Sequence, residues 1–213
     1  MTALALALPP RQVLGDSPDV LAEALRDGVN LAVWERQLPA AVGAFVDAVL
    51  ASGGLVAETL SVELEEAAEA VDLQGLLAQH RDLPGHVAFV ADVAWLVRAF
   101  ACLLDARRVG IRLRMLDKAM CPRFHVDRLP LRLVTTYAGP ATEWLAEGAM
   151  ARNTLDSPAG EPRAEWIRSL AAGDVALLKG ERWVGNEHGA IIHRSPPVAD
   201  GTRRLLLTLD WLE

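Results

Sequence analysis

The sequence predicts an α+β protein with a mainly helical first half and a second half built of short strands. Three patterns indicate this fold class. Apolar residues recur at helical spacing most strongly between residues 86 and 108, whereas residues 111–115 alternate apolar and polar side chains like a strand with one covered face. Short β-branched runs separated by turn residues then continue along the second half, which is typical of a sandwich or a barrel.

The first half contains signals for several helices and one strand. Ser17 and Pro18 are suited to be the cap and the first residue of a helix, which Gly28 ends. The other elements predicted here are a strand over 30–34, a helix over 39–51, an acidic and Ala-rich solvated helix over 62–77, and the long helix over 86–108. The long helix carries apolar residues on most sides, so we expect it to be buried.

The second half alternates strand and turn signals. Predicted strands cover residues 111–115, 131–137, 175–178, 189–193 and 204–211, and a loop covers 150–162. Strands confined to this half would be completed by a strand borrowed from 30–34 or 54–61. We therefore expect a mainly helical region over 1–108 and a β-rich core over 109–213, joined in one compact unit.

The amino-acid composition argues against several classes of binding partner. With 28 acidic and 21 basic residues the net charge is −7, which argues against binding to nucleic-acid phosphates. Hydrophobic residues make up 52%, a content compatible with a very apolar interior or with a homodimer contact. The two cysteines give no disulfide framework, and no uninterrupted apolar run approaches the roughly 20 residues that span a bilayer. We expect a cytoplasmic protein with no membrane partner.

The most informative residues are His125, Asp127 and His193. Side chains two apart on a strand point the same way, so His125 and Asp127 can face one cavity, and His193 can reach it from a facing strand. Two imidazoles and one carboxylate on one face of a metal are the ligand set of non-haem iron(II) oxygenases. The alternative is a surface turn in which His125 and Asp127 pair with each other.

Polar residues near the distal histidine could hold an anionic co-substrate. Arg203 and Arg204 follow His193, and Arg204 shares a strand face with Thr208 four residues later. An Arg side chain suits bidentate binding of a carboxylate, although a solvated strand edge is the alternative for this pair. Tyr137, the single tyrosine, ends the strand that follows Asp127 and is either a further contact or an amphipathic core residue.

Residues 121–127, 131–145 and 193–197 resemble an uncharacterised bacterial family, domain of unknown function 1826. The second half also resembles the iron(II)- and 2-oxoglutarate-dependent oxygenases, particularly their prolyl-hydroxylase-like branch. The shared pattern is His-x-Asp, a strand ending in tyrosine, a Gly-Asp turn, a distal His and an Arg opening the last strand. The resemblance implies a double-stranded β-helix, or jelly roll, in the second half, with a helical N-terminal buttress.

By the same resemblance, His125, Asp127 and His193 would be the catalytic iron ligands and the cofactors would be Fe(II) and 2-oxoglutarate. Arg204 would bind the distal carboxylate of 2-oxoglutarate, helped by Tyr137 and Thr208; Arg203 fits the Arg-x-x-x-Thr spacing less well. The substrate, a small molecule or a peptide, is not specified by any motif.

Two other classes of protein stay open at this point. Cys121 could join the three candidate ligands in a closed Zn(II) site, structural or for storage, although the oxygenases have no counterpart to this cysteine. A jelly roll that binds a ligand without a redox metal is the third interpretation, with His188 as a possible contact. The zinc interpretation gives Arg204 no role.

Overall fold

Ten strands and two α helices form the regular structure of the described residues, which are 9–64, 71–73, 75–155 and 162–212 of a computed structural model. In chain order the elements are β1 Arg11–Gly15, β2 Val29–Trp34, α1 Ala40–Ala51, β3 Ala57–Glu63, α2 His86–Leu104, β4 Arg108–Leu116, β5 Leu131–Ala138, β6 Glu143–Leu145, β7 Ile167–Ser169, β8 Val175–Lys179, β9 His193–Arg194 and β10 Arg204–Leu212. Short 3-10 helices, among them Pro18–Leu25, lie in the connections.

The strands form one large and one small sheet. The large sheet has the order β1-β2-β8-β5-β10-β4-β3, and the small sheet has the order β7-β6-β9. Strands of the first 108 residues thus pair directly with strands of the second half: β2 with β8, and β3 with β4. The protein is therefore a mixed α+β structure with more sheet than helix.

The two faces of the large sheet bury different cores. Alternation along β10 sends Leu205, Leu207 and Leu209 to the face that packs on α1 and α2, where Phe45 and Phe89 are fully buried. Leu206 points to the other face. There it joins a second cluster, which contains the small-sheet residue Trp144 together with Leu31, Val33, Val134, Ala176, Leu178 and Ile191. The large sheet is thus covered by helices on one face and, in part, by the small sheet on the other.

A partly buried ion pair links helix α2 to the segment that follows β2. Arg36 donates to both oxygens of Asp92, at 2.6 and 3.0 Å. By length and composition alone α2 could cross a membrane, a test that the core helix of a globular protein also passes. The pairing of Asp92 and the burial of Phe89, Val93 and Phe100 are features of such a core helix.

Sequence periodicity predicts most elements of the fold. The strand over 30–34 and the helix over 39–51 correspond to β2 and α1, and the helix over 86–108 ends four residues early, at Leu104. The strands over 111–115, 131–137, 175–178 and 204–211 correspond to β4, β5, β8 and β10, whereas only His193 of 189–193 is in a strand. Ser17 caps the 3-10 helix Pro18–Leu25 by accepting a hydrogen bond from the Asp19 amide.

The prediction of a solvated helix over 62–77 is wrong for the residues that the structure describes in that range. Val62 belongs to β3, where it pairs with Val109, and residues 75–77 form a turn. Residues 65–70 and 74, like 156–161 of the loop over 150–162, lie outside the described part. Acidic and Ala-rich composition suggested a helix, but pairing with β4 extends the strand to Glu63.

Candidate metal centre

A backbone bridge brings the two candidate histidine ligands together. The amide nitrogen of His125 lies 3.0 Å from the carbonyl oxygen of His193, and the reverse pair is also 3.0 Å apart. The two rings lie side by side, with centroids 4.5 Å apart. Their chain neighbours Phe124 and Ile192 are buried in a small apolar cluster with Leu145. Local alternation between apolar and polar residues thus presents both imidazoles to one cavity.

Asp127 completes a compact group of donor atoms. One ligand atom from each of His125, Asp127 and His193 lies within 4.8 Å of the other two. The Nε2 atom of His125 is 3.8 Å from Asp127 Oδ1, and the Nε2 atom of His193 is 3.7 Å from Oδ2. The three residues singled out in the sequence therefore meet at one place, although 66 positions (193 − 127) separate the last two. We call them the triad.

Backbone carbonyls orient both rings. His125 Nδ1 lies 3.0 Å from the Arg123 carbonyl oxygen, and His193 Nδ1 lies 3.2 Å from that of Ile191. A carbonyl oxygen can only accept, so each Nδ1 carries a proton, and in the neutral imidazole Nε2 then holds the lone pair. Metal-binding histidines are commonly held in this way. The types of donor atom and their grouping therefore fit a divalent metal ion.

Burial keeps the distal imidazole neutral. His193 is buried, and this desolvation lowers its pKa to about 4, although the carboxylate of Asp127 acts in the opposite direction. An imidazole must be neutral to bind a metal, so His193 is in its binding form at neutral pH.

Arg132 holds the triad carboxylate, a role that the sequence analysis missed. Its Nη1 atom lies 2.8 Å from Asp127 Oδ2, while its Nε and Nη2 atoms bind the two oxygens of Asp210 at 2.7 and 3.1 Å. Burial lowers the pKa of Arg132, but the two carboxylates outweigh it and raise that pKa. The feature of the sequence that could have identified Arg132 is a charged residue in an apolar strand, five positions after Asp127.

A small cavity of about 60 Å³ lies in front of the triad. Residues that line it include His125, His193, Cys121, Val134, Leu206 and Thr208. Cys121 is exposed, and among the described residues the group of close ligand atoms contains only the triad. The thiol of Cys121 thus lines the cavity but lies outside the close group of ligand atoms.

Arg204 lies completely buried on the same face of β10 as Leu206. Its Nη2 atom is 3.3 Å from the hydroxyl of Thr136, while Nε and Nη1 have no hydrogen-bond partner among the residues that the structure describes. Burial lowers the pKa of Arg204 to about 10. Buried guanidinium groups are normally paired, so two unpartnered donors are an unusual feature that an incoming anion would satisfy.

The other predicted co-substrate contacts divide between the two faces. Thr208 lines the triad cavity. Arg203 is exposed and lies 3.7 Å from the sulfur of Met115. The prediction that Tyr137 helps Arg204 to bind the distal carboxylate of 2-oxoglutarate is wrong. Tyr137 lies on the helix-covered face, packs on Phe89 and donates a hydrogen bond of 2.6 Å to Asp92.

The model for the family described as Protein of unknown function (DUF1826) matches residues 15–210 of this sequence. This chain belongs to that family. No curated protein matches the sequence significantly.

Solved structures similar to this DUF1826 protein include several 2OG-Fe(II) oxygenase-family members. A prolyl-4-hydroxylase from Pseudomonas putida is 13% identical, with a TM-score of 0.45 over 91% of this chain and 96% of that one. An oxidoreductase of the 2OG-Fe(II) oxygenase family from Burkholderia pseudomallei is 15% identical, with a TM-score of 0.40 over 93% of each chain. HygX from Streptomyces hygroscopicus, solved with nickel and 2-oxoglutarate, is 11% identical, with a TM-score of 0.42 over 91% and 85%. At these scores the likenesses assign no activity to this chain.

Proposed function

We propose that this DUF1826 protein is an iron(II)- and 2-oxoglutarate-dependent oxygenase with a double-stranded β-helix core. The observation that carries the proposal is the triad: two imidazoles with Nε2 lone pairs and one carboxylate, with one atom of each within 4.8 Å of the others. Two neutral nitrogens and one carboxylate on one side of an ion leave other positions open, as a non-haem iron oxygenase requires. The proposal of a jelly-roll core is supported by the two sheets, because the small sheet covers part of one face of the large sheet.

The chain's own residues would hold and orient the metal. His125 and His193 donate through Nε2 because their Nδ1 atoms are engaged by backbone carbonyls. Arg132 fixes one oxygen of Asp127 and leaves the other to bind the ion. When bound, iron supplies the activation of dioxygen, and the protein supplies position and exclusion of water.

Arg204 is the residue that we assign to the distal carboxylate of 2-oxoglutarate. Its unpartnered Nε and Nη1 atoms are two donors of a guanidinium fork, which matches the two oxygens of a carboxylate. Leu206 and Thr208 continue along the same strand face to the triad cavity, so a dicarboxylate could extend from Arg204 to the metal. Burial of Arg204 would strengthen this pairing, because a charge pair is screened less away from water.

The reaction class follows from these roles. A C–H bond of the substrate, dioxygen and 2-oxoglutarate would give the hydroxylated substrate, succinate and carbon dioxide, which balances all atoms. The buried cluster around Trp144 and Leu206 would keep water from the reacting groups.

Anaerobic titration tests this proposal. Full-length protein loaded with Fe(II) should develop a visible charge-transfer absorption on addition of 2-oxoglutarate, and should form succinate when air is admitted. Arg204→Met should weaken 2-oxoglutarate binding by about a hundredfold and leave Fe(II) affinity unchanged, because only a charged hydrogen-bond partner is lost.

The matched control is Arg203→Met, which removes the same charge from the exposed neighbouring position. This variant should bind 2-oxoglutarate like the wild type. The proposal is wrong if the wild type shows neither absorption nor succinate, or if both variants lose 2-oxoglutarate to the same extent.

A further inference from the structure

A second, wider cavity adjoins the triad cavity on the same face of the large sheet. Its volume is about 290 Å³, and its lining residues are Arg112, Arg114, Met120, Arg132, Leu206 and Thr208. Four of these six, Met120, Arg132, Leu206 and Thr208, also line the triad cavity. A ligand in the wider cavity would therefore lie directly beside the metal centre.

Strand register places three arginines at this cavity. In the β4–β10 pair Arg112 lies opposite Thr208 and Arg114 opposite Leu206, and directly paired residues share a face of the sheet. Arg132 lies opposite Asp210 in the β5–β10 pair and so has the same orientation.

The positive charge here is only partly neutralised. Arg132 is paired with Asp127 and Asp210, and Arg112 has Asp210 as an ion-pair partner, at 3.5 Å. Arg114 donates to neutral groups, the carbonyl oxygens of Glu58 and Leu113 and the hydroxyl of Thr59. Among the described residues, the ion pairs at this cavity thus set three guanidinium groups against two carboxylates (3 − 2 = 1 excess positive charge). Such an excess, in a protein of net charge −7, attracts anions locally.

The two outer arginines differ in their contacts in a way that suits binding. Arg114 is held by three acceptors, so its charge is positioned before a ligand arrives. The side chain of Arg112 is 54% exposed and is therefore accessible to an anion. Met120 and Leu206 give the same cavity apolar wall area, which suits the carbon skeleton of a small molecule.

We propose that Arg112 and Arg114 bind an anionic group, a carboxylate or a phosphate, of the primary substrate and so place its carbon skeleton beside the triad. This proposal rests on the oxygenase function, because it concerns the substrate of that reaction. It is separate from co-substrate binding, since Arg204 is enclosed and does not line the wider cavity.

Anion binding to the metal-free full-length protein provides the test. Inorganic phosphate and acetate, each titrated at constant ionic strength and followed by NMR chemical shifts, distinguish a phosphate from a carboxylate preference. Arg112→Gln should weaken the preferred anion about tenfold, because a charge-assisted contact is removed. Arg112→Lys keeps the charge and should bind within a few-fold of the wild type. A thermal melt of each variant verifies folding.

Two control variants locate the effect. Arg26→Gln removes another exposed charge (the Arg26 side chain is 67% exposed) from the residue that follows the 3-10 helix Pro18–Leu25. Leu21 and Ala24 of that helix pack in the core with α1 and α2, so this variant should leave anion binding unchanged. In Arg204→Met the part of the binding that depends on Arg112 should remain, because Arg204 does not line the wider cavity. The inference is overturned if neither anion binds, if Arg112→Gln has no effect, or if Arg204→Met abolishes binding instead. None of these results requires iron or 2-oxoglutarate, so the oxygenase proposal would stand or fall separately.

Discussion

At the scale of single residues, Arg204 is expected to lower the stability of the folded protein and is proposed to bind 2-oxoglutarate. It is fully buried, two of its donors have no partner in the described part of the chain, and desolvation lowers its pKa. A charge taken out of water without a partner destabilises the folded state. A ligand that supplies the missing partner offsets this cost.

We therefore expect Arg204→Met to stabilise the protein in the absence of 2-oxoglutarate. Replacing an unpaired buried charge with an apolar side chain should raise the free energy of unfolding by about 1–3 kcal/mol. Urea denaturation of the two proteins, without metal or co-substrate, measures the difference. The exposed Arg203→Met should change it by less than about 0.5 kcal/mol. Equal or lower stability of Arg204→Met would mean that the charge is compensated in the folded protein.

At the scale of elements, the contact between α2 and β5 explains why Tyr137 does not belong to the metal site. Its hydroxyl binds Asp92 of α2, which also pairs with Arg36. Burial, together with the negative charge of Asp92, raises the pKa of Tyr137 well above its usual value, so the phenol stays a hydrogen-bond donor. This network connects helix to sheet on the face away from the triad.

Tyr137→Phe should accordingly affect stability and not co-substrate binding. Loss of one buried hydrogen bond to a carboxylate should lower the free energy of unfolding by about 1–3 kcal/mol. The affinity for 2-oxoglutarate, measured by the same anaerobic titration, should stay within twofold of the wild type. This is the reverse of the pattern expected for Arg204→Met. A large loss of 2-oxoglutarate affinity in Tyr137→Phe would restore the role that the sequence suggested.

At the scale of the whole molecule, the triad joins distant parts of the chain. His125 and Asp127 follow β4, whereas His193 lies in β9 of the small sheet. A metal that binds all three binds only when these segments are folded together, so its binding free energy adds to the stability of the folded protein.

Metal binding should therefore raise the melting temperature. At a free Mn(II) concentration a hundred times its Kd the added stability is about 2.7 kcal/mol, or roughly 5–10 °C for a chain of this size. Scanning calorimetry of protein with and without Mn(II) measures the shift. His193→Ala should abolish the shift, while Cys121→Ser should keep it, because the thiol is outside the group of ligand atoms. Loss of the shift in Cys121→Ser would favour a thiolate-containing site.

The elements that the sequence predicts are those formed by interactions between residues close together in the chain. Periodicity along contiguous residues predicts α1, α2, β4, β5 and β10, because one buried face repeats within each element. Strands β6, β7 and β9 have two or three residues, too few for alternation to show, and they exist because they pair with each other. The two-residue spacing of His125 and Asp127 predicts that their side chains face one cavity. The long separation from His193 in the sequence is compatible with a position on a facing sheet.

The sequence by itself determined which side chains share a strand face, and the tertiary structure decided what each face meets. Alternation separates Tyr137 from Arg132 on β5, but only the packing of α2 on one face and the small sheet on the other turns Arg132 toward the triad. Likewise, Arg112 and Arg114 come to the cavity through their register with β10. Periodicity is a property of neighbouring residues, whereas register and packing depend on partners far away in the chain, which no local pattern contains.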